Sequence, residues 1–119
     1  MLPQSIERIG DLAVIGCEGT IKAETACKLR DAVTSLGNTQ IIVLDLSEVT
    51  MIEDAGLSTF LFLQQWAFRH RIQLKLFNPR WWVRQKLEHA GLIPGFDFAT
   101  LHEIVLILAS AERRFPVAA

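Results

Sequence analysis

Hydrophobic residues in the first third of the chain change from strand-like to helix-like spacing. Two strands are predicted at Ser5–Ile9 and Leu12–Gly19, joined by a turn at Gly10-Asp11. Residues 21–36 follow with apolar positions at spacings of three, four and three, which indicates one face of an amphipathic helix. The predicted inward positions of this helix are Ala26, Leu29, Val33 and Leu36. Gly37-Asn38 is expected to end it.

The middle of the chain opens with a short run of apolar, mostly β-branched residues, "IIVLDL" (Ile41–Leu46). Such a run predicts a strand that is covered on both faces, as in the centre of a sheet packed against helices. A second helix is predicted from about Ala55 to His70. Its expected inward positions are Leu57, Phe60, Leu61 and Ala67.

The segment that follows repeats the alternation of strand and helix. "IQLKLF" (Ile72–Phe77) alternates apolar and polar residues and predicts a strand. A third helix is predicted over Pro79–Ala90, because Asn78 can cap its free amides and proline suits the first helical position. Gly91 is expected to end this helix.

The last elements are shorter. A strand is predicted at Phe96–Phe98, and Thr100 with Glu103 forms the pattern of a capping box, in which each side chain binds the other residue's backbone N–H. This box opens a final helix, and a loose tail is expected at 113–119. The predicted inward positions of the final helix are Leu101, Ile104, Val105 and Leu108.

The order of these elements predicts an α/β fold, with a small mixed sheet of four to five strands covered by about four helices. At 119 residues, with 50% hydrophobic and 21% charged residues, the chain fits one compact domain over 1–119. It has no apolar run long enough to cross a bilayer and no signal-peptide pattern at the N-terminus, so we expect a cytoplasmic protein. Cys17 and Cys27 lack metal or redox spacing and are predicted to be reduced, buried thiols.

One stretch carries a resemblance to a known family. "IIVLDLSEVTMIEDAGLSTFLFL" resembles the core motif of STAS domains, the fold of bacterial anti-sigma factor antagonists. In that motif an apolar strand ends in Asp-Leu-Ser-x-Val, and a helix begins with Asp-Ser-Ser/Thr-Gly-Leu. "GCEGTIKAETACKLRDAV", "LKLFNPRWWVRQKLEHAGL" and "FATLHEIV" are similar to other parts of the family in the same order. The resemblance therefore covers nearly the whole chain and implies the STAS fold.

Two positions depart from the family pattern. Where the family has Asp-Ser before a small residue and Gly, this chain has Glu53, Asp54, Ala55 and Gly56. The family's phosphoacceptor serine therefore corresponds to Asp54, which offers no hydroxyl to a kinase. Lys22 stands where the family commonly has an acidic residue.

Three interpretations of the adjacent acids Glu53 and Asp54 remain open. Asp is a preferred helix N-cap, and negative charge at a helix N-terminus gains about 0.3–1 kcal/mol from the helix dipole. The carboxylate of Asp54 is also a permanent partial mimic of phosphoserine, with less charge and fewer acceptor oxygens than phosphate. Thirdly, paired carboxylates are typical of acid–base catalysis, but they need a shared cleft. Ser58 and Thr59 are alternative phosphoacceptors beside the missing serine.

Other candidate sites are weaker. The sequence has no phosphate-binding or dinucleotide-binding glycine motif, and its three histidines have no metal-ligand spacing. Basic residues between Arg69 and His89 surround two tryptophans, but they are divided among several elements, so nucleic-acid binding is not predicted. Trp81 and Trp82 point about 100° apart on a helix, so only one can face the core. The other is expected to be an exposed interface anchor.

The resemblance implies a protein that acts by binding other proteins, without catalysis or a cofactor. The expected role is an anti-sigma factor antagonist or partner-switching component. Its partner would be an anti-sigma factor or serine protein kinase of ATPase-like fold, and a weak homodimer is compatible with this role. The predicted binding surface comprises Thr50, Glu53, Asp54, Ala55, Gly56, Ser58 and Trp82. The alternative is a STAS subunit of a membrane transporter, such as a lipid-transport ATP-binding-cassette complex, without insertion into the membrane itself.

Overall fold

Five strands form one mixed sheet in the order in which they occur along the chain. A computed structural model describes residues 5–92, 97–103 and 105–106. The strands are β1 (Ser5–Ile9), β2 (Leu12–Ile21), β3 (Ile41–Ile52), β4 (Gln73–Phe77) and β5 (Asp97–Ala99). β1 runs antiparallel to β2, whereas β2, β3, β4 and β5 are mutually parallel. The predicted α/β fold with a small mixed sheet is confirmed.

Helices form the connections between the parallel strands, as parallel pairing requires. They are α1 (Ala23–Thr34), α2 (Asp54–Arg69) and α3 (Trp81–His89), and residues 101–103 and 105–106 are also helical. α3 begins later than predicted, because Asn78 adopts a left-handed conformation with φ 52° and Arg80 is the N-cap. The predicted cap at Asn78 is therefore wrong. The predicted capping box is confirmed, since the Glu103 N–H donates to Thr100 Oγ1 over 3.1 Å.

The main core lies between the sheet and the three helices. α1 contributes Ala26, Leu29 and Val33, as the spacing predicted. From α2 the buried side chains are Phe60, Leu63, Trp66 and Ala67, and α3 contributes Val83 and Leu87. In β3 three consecutive residues, 42–44, are buried, and Val43 packs in a second cluster with Leu12. The prediction that this strand is covered on both faces is confirmed.

Some of the predicted inward positions are wrong, one in α2 and two in the final helix. Leu61 is 45% exposed, because the buried stripe of α2 runs through Leu63 and Trp66 instead. In the final helix Leu101 and Val105 are 67% and 55% exposed. Ile104 and Leu108, the other inward positions predicted there, lie outside the described residues, as do residue 96 of the last predicted strand and the tail at 113–119.

The two cysteines differ in environment, so the expectation that both are buried is wrong for one of them. Cys17 is buried in β2, whereas Cys27 is exposed on α1. Burial, assisted by the negative charge of Asp45, raises the pKa of the Cys17 thiol from 9.0 to about 12. The Cys17 thiol is therefore neutral in the folded chain across the physiological pH range.

This difference predicts two thiol reactivities. A thiol-specific reagent should modify Cys27 quickly in the native protein and Cys17 only upon unfolding, because Cys27 is exposed whereas Cys17 is buried and neutral. The unfolded chain ionises Cys17 near 9.0 and the folded chain near 12, so stability should fall as pH rises between these values. Urea unfolding measured across this range checks the slope, and Cys17→Ala should flatten it. An equally steep slope in the variant would show that Cys17 is not its source.

Candidate functional site

The junction between β3 and α2 lies at the carboxyl edge of the parallel strands, where α/β proteins commonly place their sites. Ile52, the last residue of β3, is paired in register with Ile21, the last residue of β2. The backbone N–H of Glu53 donates to the Ile21 carbonyl oxygen over 2.9 Å, which extends this ladder by one bond. The chain is thereby held by β2 up to the residue before the helix.

A close contact at Gly56 fixes the first turn of α2 against the sheet. A Cβ atom at this position would lie 2.9 Å from the Ile21 carbonyl oxygen and 2.9 Å from the Cγ2 atoms of Ile21 and Ile52. Both isoleucines are fully buried, so they have little room to move. Gly56 was predicted on the binding surface, but it is buried and shapes the junction from within.

The acids of the junction do not cap the helix by a side-chain hydrogen bond. Glu53 is the N-cap residue, with φ −87° and ψ 170°, and Asp54 is the first helical residue. Of the three interpretations left open, the one in which Asp54 is the N-cap residue is therefore wrong. Both side chains are exposed, and neither forms a hydrogen bond or ion pair with any residue that the structure describes. Asp54 still carries negative charge in the first turn, where the helix dipole favours it by about 0.3–1 kcal/mol.

β3 extends beyond the end of its neighbour β4. Side chains form hydrogen bonds with backbone groups of β3 along the part that β4 does not pair with. The last residue of β4, Phe77, pairs with Asp45. Immediately afterwards the Asp45 carboxylate accepts hydrogen bonds from the backbone N–H and the hydroxyl of Ser47, over 3.0 Å and 2.7 Å. The Asp-Leu-Ser motif thus supplies a side-chain partner for the Ser47 N–H, at a point where β4 has ended and the β2–β3 register shifts.

The same edge is bound by two side chains around the start of α3. Arg80 Nε donates to the Ser47 carbonyl oxygen over 3.2 Å, and Trp82 Nε1 donates to the Thr50 carbonyl oxygen over 2.6 Å. Arg80 also lies 3.8 Å from the carboxylate of Glu48 and over the Trp82 ring. These contacts occupy carbonyl groups that would otherwise be open to pairing with another strand.

The adjacent tryptophans both lie at the surface. Trp81 is 67% exposed and Trp82 is 37% exposed, and their rings meet edge to face at 5.8 Å. The expectation that one of them faces the core is therefore wrong, because Val83 and Leu87 occupy the inward stripe of α3. Trp82 is the more tightly held of the two, through its bond to Thr50.

An open groove of about 440 Å³ lies beside the junction. Asp54 and Leu57 of α2 form one side, and residues of α3 and its C-terminus form the other. The residues on the α3 side are Trp82, Gln85, Lys86, His89 and Ala90. Glu53 does not line this groove, so the groove does not bring the two acids together as an acid–base pair requires.

Sequence reasoning placed Trp82 on this surface but missed the other residues that α3 contributes. Lys86 and His89 were considered only as part of the basic segment from Arg69 to His89 and, for the histidine, as a metal ligand. The spacing of Trp82, Lys86 and His89, at four and three positions, could have placed them on one face of a helix. No sequence feature indicated that this face lies next to Asp54, since that depends on how α2 and α3 are placed on the sheet.

Two kinds of feature are absent from the part of the chain that the structure describes. No group of three or more His, Cys, Asp or Glu residues there is arranged to hold a metal ion. None of the helices among the described residues is both long enough and apolar enough to cross a membrane.

Comparison with known proteins gives the family. A model of the STAS domain matches residues 4–105. The chain belongs to the STAS domain family. The core motif quoted above, from Asp45 to Leu57, lies within the match and forms the β3–α2 junction. A search of curated proteins found no match.

Solved structures of STAS proteins have the same fold at low sequence identity. The unphosphorylated anti-sigma factor antagonist SpoIIAA of Bacillus is 17% identical with a TM-score of 0.74, over 89% of this chain and 96% of that one. An anti-sigma factor antagonist of Mycobacterium paratuberculosis is 19% identical with a TM-score of 0.73, over 88% and 92%. A serine-to-glutamate variant of RsbS of Moorella thermoacetica is 16% identical with a TM-score of 0.73, over 92% and 97%.

The fold also occurs within longer chains. This chain matches the structure of Mglu with 24% identity and a TM-score of 0.62, but it spans only 20% of that protein's length. It likewise spans 18% of the murine anion transporter Slc26a9, with 15% identity and a TM-score of 0.69. At these identities the structures support the fold alone.

The close contact at Gly56 predicts that protein stability depends on a glycine at this position of the junction. Gly56→Ala should lower the free energy of unfolding by about 1–3 kcal/mol, because the added methyl group overpacks a rigid site. This loss exceeds the gain in helix propensity of at most about 1 kcal/mol. Urea unfolding followed by tryptophan fluorescence measures the difference.

Gly37→Ala is the matched control, since a Cβ there has no atom within 4 Å. It should be neutral or stabilise the protein by up to about 1 kcal/mol. Equal stability of the Gly56→Ala variant and the wild type would contradict the close contact.

Proposed function

We propose that this STAS protein is an anti-sigma factor antagonist or a related partner-switching component that acts by protein binding and catalyses no reaction. Its partner is an anti-sigma factor or serine protein kinase of ATPase-like fold. The observation that carries the proposal is the exposed carboxylate of Asp54 at the first position of α2, with no side-chain partner among the described residues. Two of the similar solved structures are anti-sigma factor antagonists, which supports this role.

Asp54 takes the place of the family's phosphoacceptor serine in this proposal. A carboxylate brings one negative charge and two acceptor oxygens, whereas phosphate brings about −1.5 to −2 charge and three. The charge at the junction is therefore permanent, and no kinase is needed to install it. It acts in one of two ways: it keeps the protein released from a partner that prefers a neutral site, or it binds a partner that accepts the charge.

The proposed contact surface is the exposed part of the junction. Thr50, Glu53, Ala55 and Ser58 are exposed around Asp54, and Trp82 borders them through its hydrogen bond to the Thr50 carbonyl oxygen. Ser58 lies one turn along α2, and its hydroxyl donates to the Asp54 backbone oxygen over 3.4 Å. A kinase that modifies Ser58 would place phosphate beside the acid already present.

Asp54→Ser tests the role of the fixed charge. With the purified cognate anti-sigma factor kinase and ATP, the variant should gain the mass of one phosphate, whereas the wild type should gain none at this position. The affinity for the kinase should change by about tenfold or more, as expected when a charge that contacts the partner is removed from an interface. Tighter binding means that Asp54 keeps the wild type released, and weaker binding means that the partner accepts the charge.

Asp54→Ala is the control that removes the charge without supplying a hydroxyl. It should change affinity in the same direction as Asp54→Ser and should never be phosphorylated at this position. If Asp54 served the helix dipole alone, both variants would lose only about 0.3–1 kcal/mol of stability and would bind as the wild type does. Unchanged affinity and no added phosphate would therefore refute the proposal. Co-purification of a membrane ATPase complex instead of a soluble kinase would favour the transporter subunit.

A further inference from the structure

A second groove continues the first one along α2, and the two together have an apolar end and a charged end. The second groove, of about 190 Å³, is lined by Ser58, Leu61 and Leu92 and shares Leu57 and Ala90 with the groove beside Asp54. We call the combined feature the docking groove and define it by Asp54, Leu57, Leu61, Lys86, His89 and Ala90. It exists because α2 packs extensively on α1 but barely touches α3.

The walls of the docking groove have helical spacing. On α2 the residues Asp54, Leu57 and Leu61 recur at three and four positions, and on α3 and its C-terminus Lys86, His89 and Ala90 form the opposite stripe. The α2 stripe therefore covers about two helical turns, roughly 10 Å, and the α3 stripe covers about one turn, roughly 6 Å. A third helix fits such a trough between two helices, since helix surfaces pack by placing ridges into grooves.

The apolar part of the docking groove lies at the surface without a cover among the described residues. Leu61 is 45% exposed although it stands in the middle of a helix, and Leu57 is only partly buried. The sequence pattern indicated an inward position for Leu61, which is consistent with an apolar residue that becomes buried only in a complex. Contiguous exposed apolar side chains with a polar rim are typical of protein interaction sites.

The charges at the rim determine what the occupant must carry. Asp54 stands on the α2 side at one end, and Lys86 and His89 stand on the α3 side. A complementary helix carries a basic side chain on the flank that faces α2 and an acidic side chain on the flank that faces α3. Such an arrangement selects one orientation and register of the occupant, since the reversed helix would bring like charges together.

We propose that the docking groove binds an amphipathic helix of the partner, with apolar side chains three or four positions apart over Leu57 and Leu61 and a basic side chain at Asp54. The mode is the insertion of a helix into a hydrophobic groove. This inference rests on the proposed function and specifies how the same partner is recognised. It extends the contact surface from the junction to the C-terminal half of α3, and Asp54 becomes one end of the surface.

Leu61→Arg is the principal test, with Phe68→Arg as its matched control. Both substitutions replace an exposed apolar residue of α2, and Phe68, at 84% exposure, lies outside the docking groove. In calorimetric titrations against the purified anti-sigma factor of ATPase-like fold, Leu61→Arg should weaken binding about tenfold or more, whereas Phe68→Arg should change it by less than about twofold. Lys86→Glu should also weaken binding, because it reverses the charge that faces the acidic flank.

The outcomes separate this inference from the proposed function. If the wild type binds the anti-sigma factor and Asp54→Ser alters the affinity, but Leu61→Arg and Lys86→Glu bind as the wild type does, the docking groove is refuted and the proposed function stands. Equal weakening by Phe68→Arg also refutes it. A wild type that binds no such partner refutes both. Circular dichroism verifies that each variant is folded, and Leu61→Ala, with a smaller expected loss, replaces Leu61→Arg if the latter is not.

Discussion

The position of α2 depends on one close approach between its first turn and the ends of two parallel strands. The hydrogen bond from the Glu53 N–H to the Ile21 carbonyl oxygen ties the chain to β2, and the absence of a side chain at Gly56 lets the helix rest on Ile21 and Ile52. Since a packed core transmits small displacements, a shift here would move every side chain that α2 presents. The positions of the exposed acids Glu53 and Asp54 therefore depend on the buried Gly56.

A second constraint comes from the unequal lengths of β3 and β4. Among the described residues, the part of β3 beyond Asp45 has a neighbouring strand only on the β2 side, and an open edge of this kind can pair with other chains. The side chains of Asp45, Arg80 and Trp82 form hydrogen bonds with backbone groups on this edge. These backbone groups are then not open to another strand, and β3 continues to the junction. The two donors from the start of α3 also tie that helix to the strand that ends at the junction.

The sequence predicted the order and type of the elements, because each has a clear apolar period. It was less reliable where two stripes of one helix are apolar. Leu61 has the spacing of a core residue, yet the path of α2 over the sheet buries Leu63 and Trp66 instead. It also failed at Asn78, where a left-handed conformation delays the helix that a capping residue seemed to begin. Such choices depend on tertiary packing, which a local pattern does not contain.

The candidate site was only partly predictable, because it too depends on tertiary packing. The resemblance located the junction and Asp54, whereas the neighbouring face of α3 became visible only in the fold. The structure adds that the stability of α2 explains little of why Glu53 and Asp54 stand at its start. Glutamate is not a preferred N-cap residue, and the side chain of Glu53 makes no capping bond. The negative charge of Asp54 stabilises α2 by about 0.3–1 kcal/mol through the helix dipole. A side-chain cap therefore does not account for the two exposed acids, and the proposed function assigns the charge of Asp54 to partner binding.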